Sequence, residues 1–226
     1  MFILAILGFA LLLALIAGPQ YLIRHTLRKH AGERPEFPGT GGELARHLLD
    51  DAGLEDVKLD VAPPMGDHYS PDERVVRLSE ANLKGKSVTA VAVAAHEVAH
   101  AIQHRDGYAP LLWRQKWVRR IVPLQQVGMA LLFLTPIFFA LVKSPAIMIA
   151  ELGIAFAVMA SGILIHLATL PTEFDASFNK ALPVLENYLA PEDMKGARAV
   201  LRAAAFTYVA SAMMSLINMM RVFRRV

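Results

Sequence analysis

Two apolar stretches, Ile121 to Val142 and Ala146 to Leu170, are separated only by Lys143-Ser144-Pro145. At ~1.5 Å of rise per residue, each is long enough to cross the ~30 Å hydrocarbon core of a bilayer as a helix. Backbone amides find no water in lipid, so these residues must bond among themselves, and a three-residue break between them can only be a tight turn. The pattern predicts a transmembrane hairpin. Met1 to Gly18 is a further uncharged run of 18 residues. A cleaved signal peptide would place basic residues before such a run. Here Arg24, Arg28, Lys29 and Arg34 follow it, so it reads as an uncleaved anchor.

Orientation follows from the basic residues. Trp113-Arg-Gln-Lys-Trp117-Val-Arg-Arg120 precedes the hairpin with two interfacial tryptophans and four cations. With the four basic residues after the first run, one side carries eight, against Lys143 alone on the other. The segment between the first run and the hairpin is therefore expected in the cytoplasm. A last apolar stretch, Ala203 to Met220, contains Thr207, Tyr208, Ser211, Ser215 and Asn218 and ends in Arg221, Arg224 and Arg225. Spanning would leave those arginines outside; lying in the interface is the other reading.

With 55% apolar residues and a mean hydropathy of +0.40, about half of the chain remains for water. The chain has no cysteine, which excludes disulfides, thiolate metal sites, iron–sulfur clusters and a cysteine nucleophile. Its net charge of +3 comes from cations that flank apolar runs, which suits lipid headgroups and not nucleic acid.

The polar half reads as a small α+β unit. Thr40-Gly-Gly-Glu43 is a capping box, Leu44, His47, Leu48 and Asp51 follow at helical spacing, and Gly53 is a left-handed stop. Val57 to Val61 alternates like a strand, and Arg74-Val-Val-Arg-Leu78 is a second one. Ser87 caps a long helix that ends at Asp106-Gly107. On it stands His96-Glu97-Val98-Ala99-His100, whose histidines lie one turn apart on one face and can converge on one ion. Glu97 projects beside them, where it can take a proton from an attacking water. A catalytic zinc needs a third protein ligand and an open position. Glu173, just past the hairpin, competes for that role with Asp106, His104 and His166.

Asp67-His68-Tyr69-Ser70-Pro71, Val76-Arg77-Leu78-Ser79, Ser87-Val88 and Ala94 to Gln103 resemble the YugP-like neutral zinc metallopeptidases of bacterial membranes. Leu170-Pro171, Glu173-Phe174-Asp175-Ala176-Ser177, Ala203-Ala204-Ala205 and Thr207-Tyr208-Val209-Ala210 match in the same order. The resemblance covers nearly the whole chain. It implies a mainly α fold, in which membrane helices accompany a small zincin-like α+β cytoplasmic unit of the gluzincin sort. In the related HtpX and CAAX prenyl protease group the ligand glutamate is followed by Ala-Asp at the third and fourth positions. That pattern puts the third ligand on Glu173 and leaves Ser177 where an orienting aspartate would stand, with Asp175 as its substitute. Ala99 replaces a usual glycine.

The implied organisation is an anchor (1–19), a cytoplasmic catalytic unit (20–120), a transmembrane hairpin (121–170), a cytoplasmic segment with the third ligand (171–195) and an apolar C-terminal helix (196–226). The implied activity is hydrolysis of peptide bonds; the topology, with Glu173 just past the hairpin, adds the expectation that the substrates are membrane-associated proteins at the inner membrane of a bacterium. One Zn2+ per chain would be held by His96, His100 and Glu173, with Glu97 as general base. Tyr208, His104, Tyr108 and Arg77 are candidates to stabilise the oxyanion, Tyr208 slightly ahead. An exposed edge at Val75 to Leu78 would take up extended substrate, unless that strand is a plain core strand, a reading of equal weight; Glu151 would snorkel or pair with Lys143. The alternative function is a zinc-stabilised membrane scaffold that cuts nothing; Glu97 argues against it, because a structural site needs no general base. Substrate and oligomeric state are not legible.

Overall fold

The computed structural model describes residues 17–223, with side chains for all of these but 142 and 217–223. Most of the anchor expected at 1–19, and Arg224 and Arg225, lie outside the described residues. Two compact units divide the chain: residues 17–111 with 170–207, and residues 112–169 with 208–223 as described.

The first unit is built around one buried helix. After α1 (17–29) comes α2 (Gly41–Asp51), opened by the expected capping box: the Thr40 hydroxyl accepts from the Glu43 amide at 3.2 Å, and the Glu43 carboxylate accepts from the Thr40 amide at 2.7 Å. Gly53, at φ +65°, closes α2 as its sequence position foretells: its amide bonds the Asp50 carbonyl, and that of Leu54 bonds Leu49. β1 (Lys58–Ala62), β2 (His68–Ser70) and β3 (Val75–Ser79) form a sheet in the order β1-β3-β2, parallel between β1 and β3 and antiparallel between β2 and β3. The two expected strands are present, shifted by one residue. β2 escaped notice because three residues carry no measurable alternation. Its presence overturns one expectation: β3 is the central strand, so Val75–Leu78 offers no free edge, and the outer edge beside it belongs to β2.

A short α3 (Glu80–Lys84) leads to α4 (Val88–Arg105), whose N-terminus is capped by Ser87 through a 3.1 Å bond from the Ala90 amide. Every α4 residue from Val88 to Ala101 is buried. The cause is composition: alanines at 90, 92, 94, 95, 99 and 101 let neighbours approach from all sides, and a helix apolar all round has no solvent face. α2 packs on one side of it. On another lie α8 (Pro191–Ala205) and the π-helical turn Asp175–Ala181 that follows α6 (Pro145–Phe174). α7 (Leu182–Leu185) adds Leu182 and Leu185 to a core that includes Leu49, Val57, Val76, Leu78, Val98, Val200 and Leu201.

The second unit contains most of α5 (Ala109–Val142) and α6, and α9 (Thr207–Phe223) from Tyr208 on. Among the described residues, three helical segments are long and apolar enough to cross a membrane: Ala109–Leu141, Pro145–Leu185 and Pro191–Leu216, with window hydropathies of 1.8, 2.1 and 1.4. α5 and α6 approach closely through small residues, since a Cβ on Gly128 would meet Val158 at 3.0 Å. Glu151 does not pair with Lys143; the Thr135 hydroxyl on α5 donates to its carboxylate at 3.0 Å. A carboxylate among apolar side chains takes a nearby hydroxyl in preference to no partner. The helical segment that starts at Pro191 is interrupted once. It breaks at Phe206, leaving Ala203 and Ala205 buried on α8 and starting α9 at Thr207.

Leu201, fully buried on α8, makes this packing testable. Leu201→Ala should destabilise the protein by about 2–5 kcal/mol, and the exposed Lys195→Ala by less than about 0.5 kcal/mol, in urea unfolding of detergent-solubilised protein.

Candidate metal centre

α4 ends in a Schellman motif: Gly107 takes φ +63°, its amide bonds the His104 carbonyl, and the Tyr108 amide bonds the Gln103 carbonyl. The helix therefore keeps its register through two full turns beyond His96. His96 and His100 meet edge to face, with ring centroids 4.7 Å apart. Both turn Nε2 to the same oxygen, Oε2 of Glu173, at 3.3 Å from His96 and 3.5 Å from His100. All three side chains are buried.

The tautomers follow from the partners behind the rings. The Ser177 hydroxyl donates to the Leu201 carbonyl at 3.1 Å, so its oxygen is left to accept from Nδ1 of His96, also at 3.1 Å. Nδ1 of His100 lies 2.9 Å from Oε1 of Gln103, a carbonyl oxygen that can only accept. Each imidazole thus keeps a proton on Nδ1 and turns Nε2 to Glu173, so Nε2 is the nitrogen that would meet a metal. The π-helical turn has a structural part in this. It begins two residues after Glu173, with Leu182 bonding back to the Ser177 carbonyl, and keeps Ser177 buried. Single π turns of this kind recur at functional sites.

Burial makes the charges interdependent. Burial alone would raise the Glu173 pKa, but the charges and hydrogen bonds of His100 and His96 outweigh it and hold the carboxylate ionised, well below its usual range. Burial would likewise depress His100, but Glu173 overrides it and raises the imidazole to about 9. Burial pushes Glu97 upward, opposed by His96 and His100 and reinforced by Glu173 and Asp67.

This set fits a divalent cation. Ligands ~2.0–2.1 Å from a tetrahedral zinc stand about 3.4 Å apart, close to the spacing of both histidines from Glu173. The second carboxylate oxygen, Oε1, is buried without a hydrogen-bond partner, an omission that costs free energy unless something else satisfies the group. Among the described residues, this is the one group of three His, Asp or Glu side chains whose donor atoms lie within 4.8 Å of one another.

The family model described as "Putative neutral zinc metallopeptidase" matches residues 3–226. The chain belongs to this family. It is 35% identical over 204 residues to the "Putative membrane protease YugP" of Bacillus subtilis (strain 168), a match covering 89% of this chain and 87% of the relative. No solved structure matches it significantly.

Of the competing third ligands, Asp106 is exposed and bonds Arg105 and Lys180, and Nδ1 of His104 lies 2.9 Å from the Tyr69 hydroxyl. His166 belongs to the second unit, beside Tyr208, whose hydroxyl accepts from Arg114. Arg77 is held by Glu73 and Asp60. Tyr108 supplies the amide that closes α4. Ala99 is buried where a methyl group fits. Asp175 does not touch a histidine; it binds Gln103, at 2.8 Å. Two partners of the rings were not assigned from sequence. Ser177 stands at the position where an aspartate was expected, and Gln103 lies three residues after His100, a spacing that puts both on one helix face.

A metal must displace the proton that His100 carries below about pH 9. Zinc binding near pH 7 should therefore release close to one proton from this cluster, and affinity should rise with pH until about 9. Calorimetric titration in buffers of different ionisation enthalpy reads the proton count directly.

Proposed function

We propose that this chain is a membrane-embedded zinc metallopeptidase of the gluzincin type. One zinc ion would be held by His96, His100 and Glu173 in a zincin-like unit. The observation that carries the reading is the convergence of two buried Nε2 atoms on one carboxylate oxygen at the edge length of a tetrahedron. Zinc bound there would polarise a scissile carbonyl and make a water acidic enough to attack near neutral pH. Glu97, on the same helix, would take a proton from an attacking water at its carboxylate and deliver it to the leaving amine nitrogen. The outer edge of β2, which packs against α4, suits an extended substrate bonded through its main chain. His104, bonded to Tyr69 on that strand, is the group we assign to the developing oxyanion.

The substrate class follows from Glu173. It is the second-to-last residue of α6, a helix apolar enough to span, so we place the zinc near the membrane surface and its substrates among membrane-associated proteins. The excess of cations flanking the apolar segments supports a cytoplasmic site on the inner membrane.

In detergent-purified protein, Glu97→Gln should keep about one zinc per chain and lose cleavage by at least about 100-fold, the scale of a general base. Retained cleavage would remove Glu97 from the mechanism, and a parent protein that holds zinc but cleaves nothing would favour the scaffold. Glu173→Ala should empty the site; full zinc occupancy would overturn its assignment. Because the chain has no cysteine, Ser144→Cys and Glu55→Cys report topology cleanly. A membrane-impermeant maleimide should label the first in intact cells and the second only after lysis.

A further inference from the structure

We propose that Gln103 is a positioning residue that fixes the His100 imidazole and ties it to the segment carrying Glu173; the inference rests on the metal reading above. Gln103 is completely buried, three residues after His100 on α4. Its Oε1 accepts from Nδ1 of His100 at 2.9 Å. Both amide hydrogens are committed elsewhere: Nε2 donates to the Thr172 carbonyl at 2.9 Å and to Oδ2 of Asp175 at 2.8 Å.

These bonds leave the amide one orientation. Flipped, it would set its oxygen against a carbonyl and a carboxylate, losing two bonds and adding two repulsions, and would offer His100 a donor where an acceptor is needed. Asp175 is itself held, since Asn179 donates to its other oxygen at 3.0 Å. Thr172 and Asp175 bracket Glu173 in sequence, so a single side chain joins one proposed ligand on α4 to the two residues flanking another on α6 and the π-helical turn.

Metal-bound histidines commonly rest their second nitrogen on a carboxylate. Glutamate at 103 could accept the same bond, but its other oxygen would face Thr172 and Asp175 and add a charge to a buried cluster that already contains Glu97 and Glu173. The neutral amide avoids that charge and still passes the polarisation of Asp175 to His100.

The test uses full-length protein in detergent, zinc affinity measured by competition with a chromophoric chelator, and cobalt substitution as a spectroscopic check. Gln103→Leu should weaken zinc binding roughly 10–100-fold and change the visible cobalt spectrum. Gln103→Glu should weaken it as well. Adding Asp175→Asn to Gln103→Glu gives the new carboxylate an amide donor and should recover a substantial part of the loss, incompletely because the Thr172 carbonyl still opposes it. Gln103→Leu within twofold of the parent would overturn the proposal. So would a paired variant no tighter than Gln103→Glu alone, a comparison that stands even if the leucine variant does not fold. A parent protein that binds no zinc would remove the metal reading together with this role; a parent that binds zinc while the variants are indifferent would remove this role alone.

Discussion

The structure depends on the demand that two imidazoles and a carboxylate make when they are buried together. α4 has no wet face, so His96 and His100 cannot turn to solvent, and Glu173 arrives from a different part of the chain to meet both. An ionised carboxylate in such a place is sustained only by partners. Glu173 has them on one oxygen and none on the other. The rest of the first unit serves this meeting. Ser87 and Gly107 fix the ends of α4, the alanines allow close approach, and Ser177 and Gln103 hold the rings from behind.

That division of labour explains which parts of the fold were legible in the sequence. Capping boxes, left-handed glycines and the histidine pair are local, because the residues that interact are three to five positions apart. Helix α4, its ends and the turn after α2 could therefore be read in advance. The hairpin was legible for a similar reason, since lipid forces one conformation on a long apolar run. The strand β2 was hidden by its brevity, and with it the fact that β3 is central.

Contacts across long sequence separations were less accessible. Ser177 reaches His96 over 81 positions and Gln103 reaches Asp175 over 72, and nothing in local pattern announces either bond. Ser177 stood out only as a departure, a serine in place of an aspartate, and Gln103 was given no role at all. The serine takes the place of the orienting carboxylate for His96, while Asp175 acts on His100 at one remove, through an amide. Glu151 is a further case, bonded to a hydroxyl one helix away.

The central claim is the identity of the atoms around the metal, and zinc K-edge X-ray absorption of the purified full-length protein tests it most directly. The account predicts one zinc with two imidazole nitrogens near ~2.0–2.1 Å, carboxylate or solvent oxygens at ~2.0–2.2 Å, and no sulfur shell. Multiple scattering from three imidazoles, or a sulfur shell from methionine, would contradict it.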